Sequence, residues 1–309
     1  MMAFNQMSEL GHAPEAGEQP HSGLGLEPAP GRDRIVLHGQ PARPRPAAAE
    51  RRRVALLART LETEVIPRLI LSRQANSPTY IDSPGSSMPV AEDISVVAGL
   101  AMQGDLTGAL SYVSGLTARG MPLDRIYLYL LAPVARHLGD LWEQDRCDFT
   151  AVTIGLCCLQ QVVLENSPAF QPRLGGGDVD RRVLLAPVPG EQHSFGLLMV
   201  GEFFRRQGWE VSSGTGTTVK ELAAVVRRQW FAAVGFSLAC EDRLEVLAGA
   251  IREVRRASRN PQVGVLVGGR VFNERPELAA LVGADATAAD GQQAALKAET
   301  LLALLMREA

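Results

Sequence analysis

Val183-Leu184-Leu185-Ala186-Pro187-Val188-Pro189-Gly190-Glu191-Gln192-His193-Ser194-Phe195-Gly196 is the stretch on which the reading of this chain turns. Its first four residues are a short apolar run of the kind that becomes a buried strand. The residues from 187 to 196 then form a polar, glycine-containing connection before the next helical pattern. Four more short runs follow, at 210–212, 232–237, 263–267 and 286–288, with amphipathic helices between them and a last helix near 291–306. Strands that alternate with helices predict a parallel sheet covered on both faces. Right-handed crossovers leave few topologies, and the flavodoxin-like order is the expected one. Residues 181–309 therefore read as a flavodoxin/Rossmann-like α/β domain with a five-stranded parallel sheet.

Upstream the period changes. Residues 90–166 show helical patterns near 91–103, 105–119, 122–142 and 148–166, with Asp105 and Asp148 where N-caps belong. Gly104, Gly120 and the stretch 145–147 punctuate them. Short connections imply antiparallel neighbours, hence a four-helix bundle. The fold class is thus α plus α/β. Residues 167–180, with Gly175-Gly176-Gly177, read as a linker. Residues 48–89 read as a helix and linker: Val54, Leu57, Leu61, Val65 and Leu69 recur at helical spacing, Pro67 kinks or divides the helix, and Ser and Pro dominate 76–89. Residues 1–47 are rich in Gly, Pro, Ala and Glu and read as disordered, with His12, His21 and His38 as solvated side chains.

The chain has 309 residues, enough for two folded units, and 46% hydrophobic against 21% charged residues marks an ordinary globular balance. A net charge of -3 does not advertise nucleic-acid or membrane binding. No secretory signal and no continuous apolar run of about 18 residues is read. The four cysteines form no Cys-x-x-Cys pair, which suits a reduced, cytoplasmic protein. Cys157 and Cys158 read as small core residues on a helix, ahead of a redox-sensor role.

In an open parallel sheet, ligands bind beyond the carboxyl ends of the strands, where the strand order reverses. Three segments belong there: Glu191, His193 and Gly196 after the first strand, Ser237 and Leu238 at the end of the third, and Gly268-Gly269 after the fourth. Each alone is weak; the set converges in space. A neutral imidazole at His193 is a good ligand for cobalt or iron. Glu191, two residues earlier, can accept from its other nitrogen and fix its tautomer. Gly196 leaves room at the start of the following helix, Gly268 and Gly269 remove side chains where a long group must pass, and Ser237 offers a small hydroxyl. No catalytic residues are read.

These residues resemble the cobalamin-binding domains of the methionine-synthase type, whose pattern is Asp-x-His-x-x-Gly, then Ser-x-Leu, then Gly-Gly. Here 191–196 matches with Glu for Asp, Ser237-Leu238-Ala239 stands second with Leu one place early, and Gly268-Gly269 stands third. The gaps, 197–236 and 240–267, hold 40 and 28 residues, close to that pattern. The resemblance implies that His193 ligates the cobalt in place of the cofactor's own base, with the displaced tail near Ser237 and Gly268-Gly269. Leu138-Gly139-Asp140-Leu141-Trp142 resembles the helix end that caps the corrin in this family, which places Trp142 over the cofactor's upper face. In cobalamin light-sensing repressors a Glu-His pair follows that Trp; here Val152 and Thr153 hold those places, so their adenosyl photochemistry is not implied. His137 reads as a helix-surface residue.

The stretch from Leu57 to Leu69, joined to this bundle and domain, looks like the AerR/PpaA group of photosynthesis-gene antirepressors. That resemblance implies a tetrapyrrole-binding, light- or ligand-responsive sensor that is not an enzyme. It would act on a separate DNA-binding transcriptional repressor without reading DNA itself. Cobalamin is the expected cofactor, with haem as the alternative; the competing functions are a corrinoid methyl-carrier of a methyltransferase system and a haem-based redox sensor on the same fold. The oligomeric state is open.

Overall fold

The computed structural model describes residues 88–171, 180–191, 193–214 and 218–308. The expected N-terminal extension, the helix at 47–74, the linker as far as residue 87 and residues 172–179 lie outside the described residues.

The helical half comprises α1 (Ala91–Met102), α2 (Leu106–Ala118), α3 (Leu123–Ile126), a π-helical turn (Tyr127–Leu131), α4 (Ala132–Glu143) and α5 (Phe149–Phe170). Asp105 caps α2 by accepting from the Gly108 amide, and Asp148 caps α5 by accepting from the Ala151 amide, as the sequence indicates. The third helix, expected as one regular piece over 122–142, instead carries the π turn. The Ala132 amide reaches back five residues to the Tyr127 carbonyl just before Pro133, which has no amide to give. Tyr127 is fully buried there, stacks on Phe170 at 4.6 Å, and donates its hydroxyl to the Val163 carbonyl at 3.0 Å.

That anchor also explains why α5 runs to Phe170, four residues past the expected end, so that 167–170 are helix and not linker. Phe170 is buried between Tyr127 and Phe203, and Ser167 donates to the buried carboxylate of Glu202 at 2.6 Å. These tertiary contacts outweigh Pro168 inside the last turn. Of the cysteine pair, Cys158 is buried but Cys157 is exposed, because adjacent helical residues point about 100° apart. By length and average hydropathy α5 is also long and apolar enough to cross a membrane, although one of its sides forms part of the bundle core.

The second half contains β1 (Arg182–Pro187), α6 (Phe195–Arg206), β2 (Glu210–Ser213), α7 (Val219–Arg228), β3 (Ala233–Ser237), α8 (Leu244–Ala257), β4 (Gly264–Gly268), α9 (Arg270–Glu274), α10 (Leu278–Val282), β5 (Ala286–Ala288) and α11 (Gly291–Glu308). The strand order is β2-β1-β3-β4-β5, all pairs parallel, which is the flavodoxin-like order expected. Alternation along the strands divides the core. Leu184, Ala186, Val234, Phe236, Val265 and Val267 pack under α7, α8 and α10, whereas Val183, Leu185, Ala233 and Leu266 pack with Phe204 of α6 and with α11.

Helix α6 joins the two halves. Phe195, Met199 and Phe203 belong to the bundle core, and Phe204 belongs to the sheet core. At about 1.5–3 kcal/mol per buried large side chain, the bundle is held on α6 by several kcal/mol of apolar burial. Glu202, 2% exposed, completes the join through Ser167, Gln171 at 2.7 Å and Arg205 at 2.8 Å.

Candidate functional site

The three sequence stations meet at the carboxyl ends of β1, β3 and β4. Register pairs Pro187 with Ser237 and Ser237 with Gly268. Beyond the paired residues the backbones remain joined: the Val188 amide donates to the Ser237 carbonyl at 3.2 Å, and the Leu238 amide to the Gly268 carbonyl at 3.0 Å.

A tight turn places the histidine. The Glu191 amide closes onto the Val188 carbonyl at 2.8 Å, with Pro189 second and Gly190 third at φ 84°. Proline followed by a left-handed glycine is the requirement of a type II turn. The turn delivers Glu191 inward, its side chain only 4% exposed, and leaves the His193 ring 65% exposed just before α6 begins. Nδ1 of His193 is hydrogen-bonded to Oε1 of Glu191. The second carboxylate oxygen, Oε2, accepts from the Ala239 amide at 3.2 Å. Burial pushes the Glu191 carboxyl up, but the hydrogen bonds from His193 and Ala239 and the charge of His193 outweigh it and hold the group below its ordinary value. Glu191 thus orients His193 although it stands where the family pattern has Asp. With Nδ1 engaged, Nε2 is the nitrogen left for a metal.

The remaining predicted residues divide by role. A Cβ on Gly196 would meet nothing within 4 Å, so the start of α6 is open. Ser237 is half-buried at the strand end. The Leu238 side chain, read as cofactor-facing, is instead fully buried in the core under α7 and α8, and only its backbone borders the cleft. Gly269, at φ 99°, is required by close packing: a Cβ would lie 2.9 Å from the Leu238 nitrogen and nearer still to its carbonyl oxygen. A Cβ on Gly268 would crowd the Ala288 carbonyl at 3.1 Å. Both glycines therefore serve the sheet end itself before any ligand.

Trp142 ends α4 with its side chain 49% exposed, unlike a core tryptophan. Its neighbour Glu143 accepts from Arg270 at 3.3 Å, immediately after Gly269, which brings this end of the bundle to the carboxyl edge of the sheet. His137 is partly buried, not a plain surface residue. The Ala239 amide, the Pro189-Gly190 turn and the Glu143–Arg270 pair were missed by sequence reasoning; of these only Pro-Gly left a readable signal.

One imidazole with a buried carboxylate behind it, at the mouth of an open strand-end cleft, suits a metal that arrives already held in a macrocycle and needs a single protein ligand. Residues 181–298 match the family model described as the B12 binding domain. The α/β half is therefore similar to cobalamin-binding domains, and the match supports cobalamin as its cofactor, the first of the two readings.

Two proteins similar to this chain give the particulars. The "Uncharacterized 20.5 kDa protein in bchF-crtJ intergenic region" of Rhodobacter capsulatus is 27% identical over 168 residues, covering 54% of this chain and 87% of that protein. The Methanosarcina barkeri monomethylamine corrinoid protein shares the fold at a TM-score of 0.55 and 15% identity, over 68% of this chain and 98% of its own.

Proposed function

We propose that this protein is a cytoplasmic cobalamin-binding sensor that regulates transcription, in the manner of the AerR/PpaA antirepressors, by engaging a separate DNA-binding repressor of photosynthesis genes. The observation that carries the reading is the Glu191–His193 pair: a buried carboxylate presenting an outward imidazole beside the end of a helical bundle. The similarity to the uncharacterized Rhodobacter capsulatus protein from the bchF-crtJ intergenic region is compatible with this proposal.

In this reading His193 would hold the cobalt through Nε2, Glu191 would keep the ring oriented, Ser237 and Gly268 would border the cofactor tail, and Trp142 would lie on the bundle side. Bound cobalamin would supply a cobalt centre able to exchange a ligand, thermally or by light. Helix α6 starts two residues after His193 and buries three side chains in the bundle core, so a shift of His193 on ligation is felt by the bundle. The cofactor biases the arrangement only as far as its affinity differs between the two states. The protein has no catalytic role in this scheme.

Addition of hydroxocobalamin to the purified chain should give a bound corrinoid spectrum with imidazole ligation, and His193→Ala should remove that ligation. The repressor should then bind the loaded and empty forms with different affinity. Equal affinity for both forms would refute regulation by the cofactor. The second reading, a corrinoid methyl-carrier, is supported by the fold shared with the monomethylamine corrinoid protein. Methylation of the reduced cobalt by a partner methyltransferase would favour it.

A further inference from the structure

The turn that carries Glu191 and His193 projects from the sheet: Pro189 is half-buried and Gly190 is exposed. Its two ends are tied to the residues after β3. The Val188 amide donates to the Ser237 carbonyl, and Oε2 of Glu191 accepts from the Ala239 amide. The apex between them is met by Arg243. A Cβ on Gly190 would lie 3.3 Å from Cζ of Arg243, 3.8 Å from Nη2 and nearer still to Nη1. Nη1 also donates to the Pro189 carbonyl at 3.4 Å, a long hydrogen bond whose value lies in where it holds the chain. Gly190 thus serves twice: it takes the left-handed φ of 84° and leaves room for the guanidinium.

Arg243 stands on a fixed base. It ends a 3-10 turn, Glu241–Arg243, and directly precedes α8, whose Leu247, Ala250, Ile251 and Val254 are buried. Glu241 of the same connection pairs with Arg275, just after α9. Among the described residues Arg243 itself makes no ion pair, so its guanidinium is given to the turn. The His193 ring, 65% exposed, has little packing to hold it. Its place is set by the Glu191 carboxylate and by the backbone from which both side chains project.

We propose that Arg243 is a positioning residue for the metal ligand. It clamps the Pro189-Gly190 apex to the connection between β3 and α8, and so fixes where Nε2 of His193 stands. A metal–nitrogen distance is tolerated within about 0.2 Å, and a turn free to move by more than that loosens the bond. The clamp acts on the backbone, whereas Glu191 acts on the ring, so the two are separable. Partners behind a ligating histidine contribute about 10–100-fold in metal affinity, and Arg243, one step further out, is expected at the low end, about tenfold. The consequence at the metal rests on the cobalamin reading; the clamp itself does not.

The test uses the full-length chain, with and without hydroxocobalamin. Arg243→Met keeps the length of the stem and removes the donors; Arg243→Lys keeps the charge and one donor group. Without cofactor, amide hydrogen exchange at Glu191 should be at least about tenfold faster in Arg243→Met, with the β3 amides unchanged and the lysine variant in between. With cofactor, Arg243→Met should weaken hydroxocobalamin binding about tenfold, and Arg243→Lys less. In a His193→Ala background Arg243→Met should add no further loss, because a residue that acts through the ligand has nothing left to position. Unchanged exchange at Glu191, or unchanged affinity in a chain that binds cobalamin, would overturn the proposal. So would a loss of affinity that persists in full beside His193→Ala. An unaltered chain that binds no corrinoid would instead overturn the cobalamin reading, and the exchange rates would still decide the clamp. Should Arg243→Met not fold, the same measurements on Arg243→Lys decide, unchanged values again refuting the clamp.

Discussion

Replacement of Glu191 by Gln tests the site at its most loaded atom pair. Oε1 of the carboxylate is hydrogen-bonded to His193 Nδ1 and faces the His193 amide at 3.4 Å, while Oε2 accepts from the Ala239 amide at 3.2 Å. Both oxygens thus face donors. A glutamine supplies one acceptor oxygen and one NH2, so in either orientation a donor is turned toward a donor. The negative charge behind the ring is lost as well. A partner behind a metal-bound histidine is worth 10–100-fold in metal affinity, about 1.4–2.7 kcal/mol, and Glu191→Gln is expected to weaken cobalamin binding by roughly that factor. Titration of the apo-protein with hydroxocobalamin, followed by absorption, measures it. His193→Ala in parallel defines the complete loss of the lower ligand. If Glu191→Gln binds with unchanged affinity and spectrum while His193→Ala does not, the carboxylate is not orienting the ligand and the relay argument fails.

The same carboxylate makes a pH prediction. Its pKa is lower in the folded protein than in the unfolded chain, so it contributes stability above the ordinary carboxylate range, and this is lost as pH falls through the depressed folded value. The difference in stability between wild type and Glu191→Gln, followed by urea denaturation, should therefore shrink on acidification below about pH 4.5. Gly269→Ala forces a Cβ against the Leu238 backbone at positive φ and is expected to destabilise the fold by about 2 kcal/mol or more, read from the urea midpoint; a change below a few tenths would contradict the packing. Glu202→Ala strands Ser167, Gln171 and Arg205 at the α5–α6 join and should cost about 3 kcal/mol, with faster hydrogen exchange in the last turn of α5. Arg270→Ala removes exposed pairs with Glu143 and Glu274 and should leave the urea midpoint nearly unchanged, with any small shift erased by high salt.

Much of the architecture could be read from local pattern. The apolar runs at β1, β3 and β4 are continuous because both faces of a parallel strand are buried, and this alone separates them from the helical period upstream. Asp105 and Asp148 announce helix starts because a cap acts within three residues of itself. His193, Ser237 and Gly268 could be assigned to one place because strand ends in a parallel sheet converge. Leu238 could not be assigned correctly, since one residue's shift along a strand end decides between cleft and core.

What the sequence alone determined is therefore the set of periodic and short-range features: the two halves, the strand order and the histidine at the strand end. Tertiary structure alone decided that Glu191 reaches both His193 and Ala239, that α5 extends through Pro168 to Phe170, and that Glu143 meets Arg270. These depend on contacts between groups 31 to 127 residues apart, or on a turn that aims one side chain inward. Pattern encodes which face of an element is apolar, but which polar atoms meet is set only when the faces have packed and the distances are fixed.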